Sequence, residues 1–305
     1  MITALAGGVG AARFLTGLTK LVKPKDLSVV VNTGDDIELF GLHISPDVDI
    51  VTYTLAGIVD ETKGWGIKGD TFRCLEMLKK HGEDMWFGLG DRDLATHLYR
   101  TQRLKQGFTL TQIASEVCGV LGLNVKVLPM SNDKFETKVR TNAGWMHFEE
   151  YFVQRQAKDE ILDVKFIGAS AAKPSPGVLD AILDAETVVV CPSNPVVSIG
   201  TILAVDGVRD ALKRTSARVV GVSPIVAGLP LKGPADKMLR SLGVEVSAFG
   251  VAKFYSDFLD AFVIDAMDAG LRSRIERLGI DVKVTNTVMK SLEDKVALAL
   301  AVLDS

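Results

Sequence analysis

The sequence is poor in cysteine and has no long run of one charge sign. Cys74, Cys118 and Cys191 are the only cysteines in 305 residues, an odd number whose spacing fits neither a disulfide framework nor a zinc ligand set. That scarcity points to a reducing cytoplasm. The 35 basic and 38 acidic residues are interspersed, which argues against a nucleic-acid platform. No basic segment precedes Gly7 and Gly8, so the start does not read as a signal peptide. The charge-free stretch TVVVCPSNPVVSIGTILAV, residues 187–205, is interrupted by Pro192, Ser193, Asn194 and Pro195. It reads as a buried strand, a polar loop and a helix start, not a membrane helix. A Gly-x-Ser-x-Gly elbow, a His-Glu-x-x-His pair, internal repeats and low-complexity segments are all missing.

What is present suits an enzyme-sized core, because 47% hydrophobic and 24% charged residues can fold without disulfides or metal. Residues 2–6 form an apolar strand, AARFLTGLTKL has helical spacing, and LSVVVNTGDD is a second strand with a β-branched run. This is a βαβ unit. Residues 64–122 turn helical, with a possible capping box of Thr109 and Gln112. KVLPM, TKVRT and WMHFEEYFV then read as small antiparallel strands of the same inserted lobe. VKFIGAS, TVVVCPSNP, ARVVGVSPIV and VEVSAFGVAKFY resume the strand rhythm. The expected fold is α/β, a Rossmann-like open and mostly parallel sheet with helices on both faces and an inserted helical and antiparallel lobe. Residues 1–62 and 160–305 form the core in this reading, and residues 63–159 the insertion.

The glycine stretch LAGGVGAARFLTG is not a dinucleotide fingerprint, since Ala11, Ala12 and Arg13 follow Gly10 where a third glycine belongs. It is not a Walker loop either, for no Gly-Lys-Ser/Thr follows. Gly7, Gly8 and Gly10 at a strand end still allow backbone amides and a helix N-terminus to approach an anion; close helix packing is the plainer use. Asp35 and Asp36 end the second strand, and Asp47 and Asp49 stand at i, i+2 in ISPDVDIVTYTLAG. Read as an extended segment, the second pair points one way. Carboxylates gathered like this suit a divalent cation, because side by side they repel without positive charge between them. WFGLGDRDLATH places Trp86, Asp91, Arg92 and Asp93 around a glycine turn opening a helix. His97, with no His, Cys or Glu at i+3 or i+4, reads as packed or solvent-facing. Ser193 and Asn194 are held between prolines at another strand end, and Lys232 on a glycine turn is a candidate phosphate contact.

GGVGAARFLTG, VVNTGDD, ISPDVDIVTYTLAG, WFGLGDRDLATH, CPSNPVVSIG and SPIVAGLPLKG, in that order over residues 7–233, resemble the 2-phospho-L-lactate transferase family of deazaflavin coenzyme F420 biosynthesis. The resemblance implies Mg²⁺-dependent transfer of a 2-phospholactyl group from lactyl-2-diphospho-5′-guanosine to the ribityl hydroxyl of the deazaflavin Fo, releasing GMP. It further implies that Gly7, Gly8, Gly10 and Thr33 line the diphosphate, and that Ser193, Asn194 and Pro195 hold the guanosine side. Asp35 and Asp49 become the metal ligands, with Asp36 and Asp47 as alternates. Asp49 would also orient the acceptor hydroxyl, Arg92 would contact Fo, and Trp86 with the inserted lobe would cover the flat ring. A homodimer and a cytoplasmic enzyme acting on small molecules, with no nucleic acid or membrane, complete the implied picture. Nucleotide-sugar-binding regulators of the same superfamily are the rival reading, but they should not need WFGLGDRDLATH as an acceptor element.

Overall fold

The computed structural model describes residues 1–305. Strands β1 (Ile2–Ala6) and β2 (Leu27–Val31) are almost wholly buried, as required when helices cover both faces. Between them α1 (Gly8–Leu18) buries Ala11, Phe14, Leu15 and Leu18, the i, i+3, i+4, i+7 stripe that lays a helix on a sheet. A hairpin of β3 (Ile37–Leu39) and β4 (Leu42–Ile44) leads into α2 (Pro46–Leu55), opened by Pro46 at its first position. The helices α3 (Arg73–Lys80), α4 (Asp91–Lys105) and α5 (Leu110–Val120) follow, and the Thr109–Gln112 capping box is formed.

Strand β5 (Lys126–Pro129) then joins the main sheet beside β2, in parallel. Next, β6 (Glu136–Thr141), β7 (Gly144–His147) and β8 (Asp163–Ile167) make a separate antiparallel sheet in the order β7-β6-β8. The α/β rhythm continues with α6 (Val178–Leu183), β9 (Thr187–Val190), α7 (Ile199–Ala204), α8 (Val208–Arg214) and β10 (Arg218–Val222). A short hairpin of β11 (Ile225–Val226) and β12 (Leu229–Pro230) precedes α9 (Ala235–Ser241) and α10 (Ala248–Phe254). Finally come β13 (Ala261–Asp265), α11 (Arg272–Glu276), β14 (Asp281–Thr285) and α12 (Leu292–Leu303).

The main sheet has seven parallel strands in the order β14-β13-β10-β9-β1-β2-β5. Alternate residues feed two cores: Leu5, Val30, Val188 and Val190 enter one, Ala4, Ala6, Val29, Val31 and Val189 the other. The chain leaves β1 toward β2 and β5 and returns on the opposite side at β9. That reversal is a topological switch point, and it puts the ligand crevice between the carboxyl ends of β1 and β9.

Three readings of the sequence change here. KVLPM supplies β5 of the main sheet although it lies within 63–159, and VKFIGAS supplies β8 of the small antiparallel sheet although it lies beyond it. Apolar alternation fixes which face of a strand is buried, not which sheet it joins. The segment VEVSAFGVAKFY contains no strand, because the Ser247 hydroxyl accepts from the Gly250 N–H at 3.0 Å and caps α10.

Candidate functional site

A cavity of about 1160 Å³ fills the crevice at the switch point. Single-ligand pockets run to roughly 300–1,000 Å³, so there is room for two small molecules. Gly7, Gly8 and Gly10 line one wall. Gly8 takes φ +69°, and a Cβ on Gly10 would meet the Pro192 carbonyl, so α1 packs backbone to backbone against the loop after β9. The first turn of α1 carries no acidic residue and no side-chain cap, which leaves its amides available to an anion.

Ser193 and Asn194 form the facing wall. The Ser193 hydroxyl stands 3.4 Å from the Gly7 N–H, and Asn194 Oδ1 accepts from the Val196 and Val197 amides at 3.0 and 3.3 Å, fixing the loop. Pro195 is buried behind it and does not reach the cavity. Lys232 lines the mouth together with Arg13. Burial, and then the Arg13 charge, lower the Lys232 pKa.

The acids sort into two groups. Asp35 and Asp36 diverge: Asp36 Oδ2 accepts from the Ser45 hydroxyl at 2.7 Å and lies 2.8 Å from His43 Nε2, away from the cavity, whereas Asp35 is buried and lines it. Asp47 and Asp49 also diverge, contrary to the extended-strand reading. Pro46 starts a helix there, and two helical steps turn a side chain by about 200°. Asp47 therefore faces the glycine loop, where a side chain on Gly7 would come within 2.8 Å of its Oδ2. One amide nitrogen, Asn32 Nδ2, is 2.9 Å from both Asp35 Oδ2 and Asp47 Oδ2. Glu149, from the segment after β7, is buried and also lines the cavity.

Burial, then the charges of Asp47 and Glu149, hold Asp35 well above the usual carboxylate range. Burial likewise pushes Asp47 up to about 7, against the Asn32 hydrogen bond, and Glu149 up to about 8, aided by the charges of Asp47 and Asp36. Thr33 is buried beside this nest without lining the cavity, and its hydroxyl has no partner.

Asp49 belongs to the second group. Arg100 grips both its oxygens, and His97 Nδ1 lies 3.7 Å from Oδ2. Arg100 Nη1 also reaches His97 Nδ1 at 3.2 Å, and His97 Nε2 is 3.3 Å from Asp93 Oδ1, which accepts from the Tyr53 hydroxyl at 2.8 Å. Ligating atoms of Asp49, Asp93 and His97 lie within 4.8 Å of one another. The guanidinium already supplies the positive charge that a cation would bring. Asp35 and Asp49, paired as metal ligands by the sequence reading, thus sit in separate networks.

The WFGLGDRDLATH element places its residues unevenly. Phe87, Gly88, Asp93 and His97 line the cavity, while Trp86 stands edge-on to Phe87 behind it. Asp91 is turned to α3, where it accepts from the Arg73 and Cys74 amides at 3.2 and 3.0 Å. The Arg92 side chain is exposed outside the cavity, and its amide is held by Asp70 at 2.9 Å. The aromatic side chains that line the cavity are instead Tyr53, Trp65, Phe87, Phe148 and Phe152.

Fold and site together define a Rossmann-like α/β protein with a large cavity at the carboxyl edge of its sheet. Residues 2–296 match the family described as 2-phospho-L-lactate transferase CofD, and the chain belongs to that family of transferases. Among its relatives, a phosphoenolpyruvate transferase of Streptomyces griseus is 45% identical over 99% of this chain and 97% of the relative. A 2-phospho-L-lactate transferase of Methanothermobacter thermautotrophicus is 42% identical over 99% and 97%. In fold, the chain is similar to a crystal structure of a Bacillus halodurans protein, with TM-score 0.65, 20% identity and coverage of 99% and 98%.

Sequence reasoning passed over Asn32, Arg100, Glu149 and Trp65, and placed Asp93 at the glycine turn without a role. Two signals were there to be read: Asp93 and His97 stand at i, i+4, and Glu149 interrupts an apolar aromatic run, as a buried acid does.

Proposed function

We propose that this transferase moves the phosphate ester of a three-carbon acid, 2-phospholactyl in the reaction that names the family, from a guanosine-diphosphate-linked donor to the ribityl hydroxyl of Fo, in coenzyme F420 biosynthesis. The observation that carries the reading is the nest of buried acids directly beneath the glycine loop. An anionic diphosphate and a carboxylate nest share one place only with a cation between them.

In this reading the diphosphate lies on Gly7, Gly8 and the N-terminus of α1, with Arg13 and Lys232 neutralising its outer charge. The guanosine runs toward Ser193 and Asn194. Fo lies against Trp65 and Phe148, and Asp49, held by Arg100, accepts a hydrogen bond from its hydroxyl and orients it. The acceptor oxygen then bonds to the acid-bearing phosphorus as its proton passes to solvent, the diphosphate bridge breaks, and GMP leaves with the bridging oxygen. This chemistry is mostly positioning and charge stabilisation. Mg²⁺ in the nest would screen the diphosphate and draw charge from the departing phosphate oxygen. Asp35 Oδ1, buried with no hydrogen-bond partner, fits a role as one of its ligands.

The test is mass spectrometry of Fo, Mg²⁺ and protein incubated with either the phospholactyl or the enolpyruvyl guanosine donor. Both belong in it, since relatives of similar identity carry both names. A product of Fo plus the phosphorylated acid, with stoichiometric GMP, is expected from one donor at least. Absence of product with both overturns the proposal.

A further inference from the structure

Where α4 packs against α2, the two helices meet through polar side chains. Asp93, His97 and Arg100 of α4 recur at i, i+4 and i+7 and face Asp49 and Tyr53 of α2, and none of the five is more than 6% exposed. A buried polar seam costs stability unless its groups are matched. Arg100 matches Asp49, and the Tyr53 hydroxyl donates to Asp93 Oδ1 at 2.8 Å. Two groups stay unmatched. A guanidinium only donates, so the Arg100 Nη1 contact at 3.2 Å makes His97 Nδ1 an acceptor and puts the ring proton on Nε2. Nε2 is buried with no hydrogen-bond partner, although Asp93 Oδ1 lies 3.3 Å away. Asp93 Oδ2, the oxygen that Tyr53 does not serve, takes no hydrogen bond from the protein. Asp49, Tyr53, Asp93 and His97 all line the cavity, so a bound molecule can supply what is missing. It must offer an acceptor to the ring N–H and a donor to the carboxylate. A hydroxyl offers both. Ligating atoms of Asp49, Asp93 and His97 lie within 4.8 Å of one another, a span suited to hydroxyls on neighbouring carbons.

We propose that Asp93 and His97 bind the ribityl hydroxyl next to the one that reacts, so that the seam reads two adjacent hydroxyls of an open-chain polyol, one at Asp49 and one at Asp93. The inference rests on the acceptor pose of the proposed function and adds its specificity: the site selects a polyol chain, not any primary alcohol. An acceptor without the neighbouring hydroxyl leaves the His97 N–H and the Asp93 carboxylate buried and unpaired. Sites built to hydrogen-bond a hydroxyl reject the analogue that lacks it.

The experiment is isothermal titration calorimetry of the full chain with Fo and with an Fo analogue lacking that one hydroxyl, for the parent and for Asp93→Asn. The parent should bind the analogue at least tenfold more weakly than Fo. Asp93→Asn should bind Fo at least tenfold more weakly than the parent does, yet bind the analogue within threefold of the parent's value, because the same contact is lost once, from the protein or from the ligand. Its affinity for GMP should stay within threefold of the parent's. Equal binding of Fo and the analogue by the parent, a comparison that needs no variant, overturns the proposal. So do an Asp93→Asn that keeps the parent's affinity for Fo, losses that multiply when variant and analogue are combined, or an equal loss of GMP affinity, which would mark a structural role. A parent chain that binds GMP but neither Fo nor the analogue would overturn the acceptor reading itself, and this inference with it.

Discussion

At the scale of single residues, the site is dominated by one asparagine and the acids around it. Asn32 Oδ1 accepts from the Gly34 N–H at 2.7 Å while its amide serves Asp35 and Asp47, so a single side chain fixes both the loop and the nest. The raised acids give the metal-free protein an unusual pH dependence. Asp47 near 7 and Glu149 near 8 bind protons more tightly folded than unfolded, where carboxyls titrate near 4. Between about pH 4 and 8 the folded state therefore holds more protons, and stability falls as pH rises. Melting temperatures measured in chelator should drop from pH 6 to 8.5, and millimolar Mg²⁺ should remove most of the drop. A flat or rising profile in chelator would show that these acids do not titrate as the burial requires. The Asp-Asp and Asp-x-Asp spacings were legible in the sequence. Their division between two networks was not, because spacing does not say where a carboxylate turns.

Among elements, the decisive one is α2. Pro46 converts what reads as an extended stretch into a helix, and that alone sends Asp47 to the glycine loop and Asp49 to α4. The Asp49–Arg100 pair then ties α2 to α4 within the buried interior. Removing the guanidinium leaves Asp49 buried and uncompensated, so Arg100→Leu should cost about 3–5 kcal/mol in urea denaturation. The double variant Arg100→Leu/Asp49→Leu should recover much of that loss, and a simple sum of the two single losses would mean the pair is not coupled. Helix starts were partly legible: the Thr109–Gln112 box was read correctly, whereas the Ser247 cap was hidden behind the β-branched Val-Glu-Val before it. Gly10 was legible as special, yet the carbonyl of Pro192 that demands it lies 182 residues away in sequence, counting from 10 to 192.

For the whole molecule, the cavity belongs to neither half alone. Trp65, Phe148 and Glu149 come from residues 63–159, and Gly7, Asp35, Asp47 and Ser193 from the remainder. On the proposed acceptor pose, Trp65→Ala should raise the KM for Fo about tenfold by loss of ring stacking while leaving inhibition by GMP unchanged. Equal loss of both would move Fo elsewhere. Excising residues 63–159 as if they were a free-standing lobe would strip β5 from the sheet edge and leave β8 without its partner β6. Such a chain should lose its cooperative thermal transition; a sharp, native-like transition would restore the boundary read from the sequence.

By itself the sequence determined the fold class, the glycine loop at the first strand end, the loop bearing Ser193 and Asn194, and the family, because each rests on local pattern or on ordered motifs. Tertiary structure alone decided which acids share a nest, which acid is matched by Arg100, and that Trp65 and not Trp86 faces the cavity. The physical reason is that burial and pairing are set by neighbours far along the chain. A carboxylate's character depends on whether a guanidinium, an amide or another carboxylate folds against it.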